Sequence, residues 1–134
     1  MRKLLTITLI FTLSACALYS HETMVSTYVL EGGLDYYKIK NNEDGTYIYQ
    51  VNIWEKSPGA GDMHSYRTDT QELRIKTANI LLKSEHHTGC KQVTFISETQ
   101  YNEQNKSKRW LNGPWWKVLV MCDSPTNPRN DKYS

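Results

Sequence analysis

The sequence predicts an α+β domain: a small antiparallel sheet with elements in the order β-β-β-α-β-β and one helix packed across a face. Three observations predict it. In TYIYQVNIW, Tyr47, Tyr49, Val51 and Ile53 fall on one side while Thr46, Gln50 and Asn52 fall on the other, the two-residue period of a half-buried strand. Leu73, Thr77, Ile80 and Leu81 share one side of a helical wheel, which marks an amphipathic helix. WWKVLVMC, Trp115 to Cys122, is a nearly continuous apolar run, as expected of a central strand.

The elements follow in order. Met24 to Glu31, MVSTYVLE, is rich in β-formers and alternates in part, so it reads as the first strand. Gly32-Gly33 then turns the chain into a second, Leu34 to Lys40. NNEDG, Asn41 to Gly45, is a hairpin turn: Asn and Asp bond their own backbone and Gly supplies a positive φ. The cleanly alternating strand comes next, and SPGAGD, Ser57 to Asp62, ends it with a proline and two glycines. Asp69 and Glu72 stand three apart, the spacing of a capping box at a helix start. Ala78 and Leu82 widen the apolar side of that helix, Lys76, Asn79 and Lys83 form a narrow polar stripe opposite, and Gly89 is a left-handed stop. Lys91 to Glu98 and Trp115 to Cys122 complete the sheet. A simple antiparallel pairing places Cys90 opposite Cys122 and Glu98 opposite Pro114. That register also turns Val93 and Phe95 away from the cysteine face, so a bulge or a strand buried on both faces is needed. Residues 24–123 form the domain, and the polar, proline-containing stretch 124–134 reads as a disordered tail.

Upstream lies a basic start, Arg2 and Lys3, then an apolar run from Leu4 to Leu13 and the small residues Ser14 and Ala15. The apolar run is about half of the ~20 residues needed to span a bilayer. Leu13-Ser14-Ala15-Cys16 resembles the lipobox of bacterial lipoproteins. The resemblance covers the first 16 residues. It implies cleavage after Ala15, lipid on the Cys16 sulfur and an acylated amino group, with residues 16–23 as a tether. Ala17 stands where an aspartate would favour the inner membrane, which implies an outer-membrane anchor with the domain facing the periplasm. Two or more acyl chains make such an anchor stable, since each buried methylene contributes ~0.8 kcal/mol.

With Cys16 assigned to lipid, Cys90 and Cys122 remain as an even pair in an exported chain, which favours a disulfide over two separate thiols. Removal of residues 1–15 also removes Arg2 and Lys3. The precursor charge of +2 then becomes 14 basic against 14 acidic residues over 119 positions. A chain of that length builds one core, and its balanced charge argues against nucleic acid.

Chemistry-bearing clusters are sparse. EHHTGC brings His86 and His87 near Cys90, and with His64 these are weak candidates for a metal site; adjacent histidines point apart, and an oxidised Cys90 cannot ligate as a thiolate. Histidines near a helix C-terminus also favour its dipole, without any ligand. Asp62, His64 and Ser65 could be written as a triad, but no nucleophile-elbow pattern surrounds any serine. The sequence therefore predicts no enzyme, no cofactor and no catalytic residues. KSKRWLNGPWW sets Lys106, Lys108 and Arg109 beside Trp110, Trp115 and Trp116, the residue types of a partner surface; the other reading packs one tryptophan in the core and the second under a loop.

Two functions remain in view. One is a structural or protein-interaction module of the cell envelope, including an immunity-type inhibitor, with an envelope or secreted protein as partner. The other is a small-ligand or metal-binding lipoprotein that uses the sheet face or the His86-His87 loop.

Overall fold

The structure, a computed structural model of the chain, describes residues 25–26, 29–30, 32–56, 67–104 and 111–128. Its elements are β1 (Leu34–Asn41), β2 (Tyr47–Trp54), α1 (Gln71–Lys83), β3 (Gln92–Glu103) and β4 (Gly113–Asp123). The four strands form one antiparallel sheet in the spatial order β1-β2-β4-β3. The molecule is therefore α+β, with β4 central, as its apolar run requires.

One expected strand, Met24 to Glu31, does not appear among the described residues. Val25, Ser26, Val29 and Leu30 are helical, so the described order is β-β-α-β-β. The physical reason is periodicity: Val25 and Val29 are four residues apart, a spacing that puts both on one side of a strand or of a helix. Both are buried at 3% exposure and join the core, while Leu30 points to solvent at 80%.

The β1–β2 hairpin forms where the turn residues place it. Asn42 N donates to Thr46 O at 2.9 Å, Gly45 N to Asn42 O at 3.2 Å, and Gly45 has φ +85°. The Asp44 carboxylate accepts from the Thr46 amide and hydroxyl, which holds its pKa below the usual value. Both edge strands carry a bulge, at Ile39 in β1 and Ile96 in β3, and each exposes its isoleucine. Bulged edges resist pairing with other chains.

Directly opposed residues share a face, so the register sorts the side chains. Leu34, Tyr36, Tyr49, Val51, Ile53, Val118, Val120 and Cys122 lie on the covered face, all fully buried or nearly so. Against it α1 lays Arg74, Thr77, Ala78, Leu81 and Leu82, a stripe at i, i+3, i+4, i+7, i+8. Leu73 and Ile80, expected at the centre of the stripe, are half-buried instead. The helix turns because Arg74 enters the interior: its guanidinium meets both Glu98 carboxylate oxygens at 2.8 and 2.7 Å and donates to Thr68 O at 3.1 Å. Its cap is Thr70 rather than Asp69. The Thr70 hydroxyl accepts from Leu73 N at 3.3 Å, while Asp69 pairs with Arg67.

After α1 the Ser84 carbonyl accepts from His87 N and Gly89 N, and Gly89 has φ +62°. The turn delivers Cys90 to Cys122, and the two form a disulfide with Cα atoms 5.6 Å apart. Cys90 reaches it from outside the ladder. Val93, not Cys90, opposes Cys122, and Glu98 opposes Val118 rather than Pro114. The expected pairing is thus displaced by three residues at the cysteine end and four beyond the bulge. An odd displacement flips every side chain, which is why Val93 and Phe95 share the core face with Cys122. Beyond β4, Asn127 N donates to Thr88 O at 3.1 Å.

Candidate functional site

The other face of the sheet is not covered by α1. Register places Asp35 and Tyr37 of β1 beside Asn52 and Gln50 of β2; β4 adds Trp115, Lys117, Leu119 and Met121; β3 adds Tyr101, Thr99 and Ser97. Trp54 closes one end beside Trp115. These side chains come from four strands far apart in sequence, and only the register brings them together.

A hydrogen-bonded chain runs along it. Gln50 Nε2 donates to Asn52 Oδ1 at 2.8 Å, and Asn52 Nδ2 donates to Asp35 Oδ1 at 2.6 Å. Asn52 is buried, while Gln50 and Asp35 are half-buried, so the Asn52 amide fixes the orientation of the Gln50 amide at the surface. Toward the other edge Lys117 Nζ stands 5.0 Å from the Tyr101 ring centroid, and that ring lies 6.3 Å from the Trp115 ring, tilted by 31°. A cation, a phenol and an indole thus stack in a row. Burial pushes the Tyr101 phenol above the usual tyrosine value, and the charges of Glu103, Asp35 and Tyr37 push it further. Asp35 and Tyr37 belong to the opposite edge strand, so groups from both edges act on one another over this face. At neutral pH Tyr101 keeps its proton.

The paired tryptophans divide between the two sides. Trp115 is 6% exposed, its Nε1 donating to Leu111 O at 2.9 Å. Trp116 is half-buried on the helix side, where its ring takes the Arg74 guanidinium at 3.7 Å and its Nε1 donates to Glu55 at 2.8 Å. The cation against Trp116 is therefore Arg74, a partner the sequence did not suggest. Lys106, Lys108, Arg109 and Trp110 lie outside the described residues, as do Cys16, His64, Asp62 and Ser65.

The two histidines also part. His87 is buried, its ring edge-on to Tyr36 and its Nδ1 3.3 Å from the Tyr36 hydroxyl. His86 is exposed and lines a cavity beside α1. Cys90 is committed to the disulfide, and among the described residues no group of three or more His, Cys, Asp or Glu is placed to hold a metal ion. Among the same residues no helix is long and apolar enough to cross a membrane.

What this face offers for recognition is the half-buried rings of Tyr37 and Tyr101, the half-buried Gln50 amide and the exposed Lys117, while Trp115 and Asn52 are buried. Sequence reading had singled out Trp115 but missed Tyr37, Asn52, Tyr101 and Lys117. The usable signal was the second side of the β2 alternation, where Gln50, Asn52 and Trp54 recur at every other position. Compared with known proteins, the chain matches no protein-family model, no curated protein sequence and no solved structure.

Proposed function

We propose that the chain is an envelope lipoprotein, acylated at Cys16 and facing the periplasm from the outer membrane, whose domain binds a partner protein through the open face of its sheet. The observation that carries this reading is the Gln50–Asn52–Asp35 chain beside the Lys117–Tyr101–Trp115 stack. Aromatic side chains are enriched at protein interfaces, and rigid, pre-oriented polar groups lower the entropy cost of binding. An anchor and a binding face suffice for a structural module or for an immunity-type inhibitor.

The test is affinity capture by the full-length chain from the envelope and secreted fractions of its own cells. Lys117 and Thr99 are opposed, exposed neighbours on the open face, so Lys117→Glu with Thr99→Arg alters the surface without touching the core. Expected is a partner captured by the wild type and by Gln71→Arg, an exposed change on the helix, but lost in the double variant. Capture that survives the double variant would place the interface elsewhere. Labelled palmitate that still enters a Cys16→Ser chain would overturn the anchor.

A further inference from the structure

The two edges of the sheet are not guarded alike. β1 carries Lys38 and Lys40 on either side of its bulge, and lysine is the residue type that discourages edge pairing. β3 is the longest strand, 12 residues, and its bulge at Ile96 interrupts only its first half. Beyond the bulge, residues 97–103, SETQYNE, pair regularly with β4 and contain no lysine, arginine or proline. Among the described residues no strand pairs with the outer side of this run. Such an edge is a template for another strand.

One bond fixes which backbone groups point outward. Glu55 N donates to Pro114 O at 2.9 Å, so Pro114 turns toward β2, and by alternation Trp115 turns toward β3 to meet Tyr101. Thr99 and Tyr101 therefore direct their backbone groups to β4, while Glu98, Gln100 and Asn102 direct theirs away from the sheet. Antiparallel pairing of the run with itself, centred on Gln100, engages all of residues 97–103. Gln100 then meets Gln100 of the second copy, Glu98 meets Asn102, Ser97 meets Glu103 and Thr99 meets Tyr101. Each carboxylate opposes a neutral side chain, whereas centring on Glu98 or Glu103 sets like charges face to face.

We propose that residues 97–103 of β3 pair in this register with the same run of a second copy of the chain, through about six backbone hydrogen bonds. The two-fold axis of an antiparallel pair stands normal to the sheet, so α1 lies on the same side in both copies. Val25, which packs into the core beside α1, lies on that side too, so both chains enter their domains from one side. The two open faces join on the other side, with Tyr101 of one copy beside Thr99 of the other. The pairing does not rest on the Cys16 anchor.

Cysteine crosslinking of the full-length chain in its own cells tests the register. At a bonded antiparallel pair the Cα atoms lie about 5.5 Å apart, within disulfide reach. Gln100→Cys should therefore give a covalent dimer under mild oxidation. Asn102→Cys, equally exposed, stands four residues along the strand from its own copy, about 13 Å, and should crosslink several-fold less. Gln100→Pro removes the outward N–H and the side-chain bond to Glu55 but no bond to β4. In mild detergent the full-length chain should sediment as a dimer and Gln100→Pro as a monomer, with the same circular dichroism. A monomeric wild type, assemblies larger than a dimer, a dimeric Gln100→Pro, or crosslinking of Asn102→Cys equal to that of Gln100→Cys would each overturn the proposal.

Discussion

Arg74 and Glu98 form the most demanding polar contact among the described residues, and Glu98→Gln isolates its contribution. The side chains are 4% and 7% exposed and meet through two charge-assisted bonds of 2.8 and 2.7 Å. The substitution keeps the shape but leaves a buried guanidinium facing a neutral amide. Removing one member of a buried pair costs about 3–5 kcal/mol. Arg74 retains its bond to Thr68 O and its place over the Trp116 ring, which sets the expected loss near the lower limit, about 3 kcal/mol. That is a large fraction of the roughly 5–15 kcal/mol available to a domain. Arg74→Met should cost more, because it strands Glu98 and removes a donor from Thr68 O. Replacing both, Arg74→Met with Glu98→Leu, should recover at least about 2 kcal/mol of the summed losses, since two apolar side chains leave no stranded charge. Urea unfolding with the disulfide intact, followed by tryptophan fluorescence, measures Glu98→Gln and the four corners of the cycle: the wild type, Arg74→Met, Glu98→Leu and the two combined. A Glu98→Gln loss below about 1 kcal/mol, or simple additivity in the double variant, would refute the view that the helix is turned onto the sheet by this pair.

Other outcomes follow from single features. Removing the disulfide by Cys90→Ala with Cys122→Ala should cost about 3–4 kcal/mol, the loop-closure value for about 33 residues, and should lower the urea midpoint with that loss. Gly89→Ala should destabilise more than Gly45→Ala: both have positive φ, but a Cβ at Gly89 collides with the Thr126 hydroxyl whereas Gly45 faces open space. Thr126→Gly should recover part of the Gly89→Ala loss, and no recovery would show that the chain after β4 does not rest there. Burial raises the Tyr49 pKa from 10.0 to about 12, and the neighbouring Tyr36 and Tyr47 add to it. The folded state therefore holds a proton that the unfolded state releases first, so this contribution to stability is complete below pH 10 and is lost as pH rises toward 12. A phenolate absorbance titration should show tyrosines that ionise late and together with unfolding. Thr70→Ala should cost about 1 kcal/mol as the loss of a helix cap, and Asp69→Ala clearly less.

The parts legible in sequence are those where a short-range pattern and the long-range environment agree. Tyr49, Val51 and Ile53 alternate because one face of β2 is buried, and the apolar run of β4 reports neighbours on both sides. Asn42 to Gly45 carry their turn in their own chemistry. Val25 and Val29 misled because a four-residue spacing satisfies both periods and the segment is too short to decide. The β3–β4 register misled because Cys90 bonds Cys122 from outside the ladder, and nothing in QVTFIS announces a bulge at Ile96. Arg74 turned the helix because its partner lies 24 residues away, beyond any local pattern. The open face was hidden for the same reason: Asp35, Asn52, Lys117 and Thr99 form one row across four strands, and the register that aligns them is a property of the fold.

The central claim is that this open face meets a partner protein, and site-specific photocrosslinking in the native envelope tests it most directly. A photoreactive residue at Thr99 or Lys117 on the open face, or at Gln71 on the exposed side of α1, samples the two sides of the domain. The account predicts one discrete protein adduct from Thr99 and Lys117 and none from Gln71. An adduct from Gln71 alone, or no adduct from either open-face position, would contradict it.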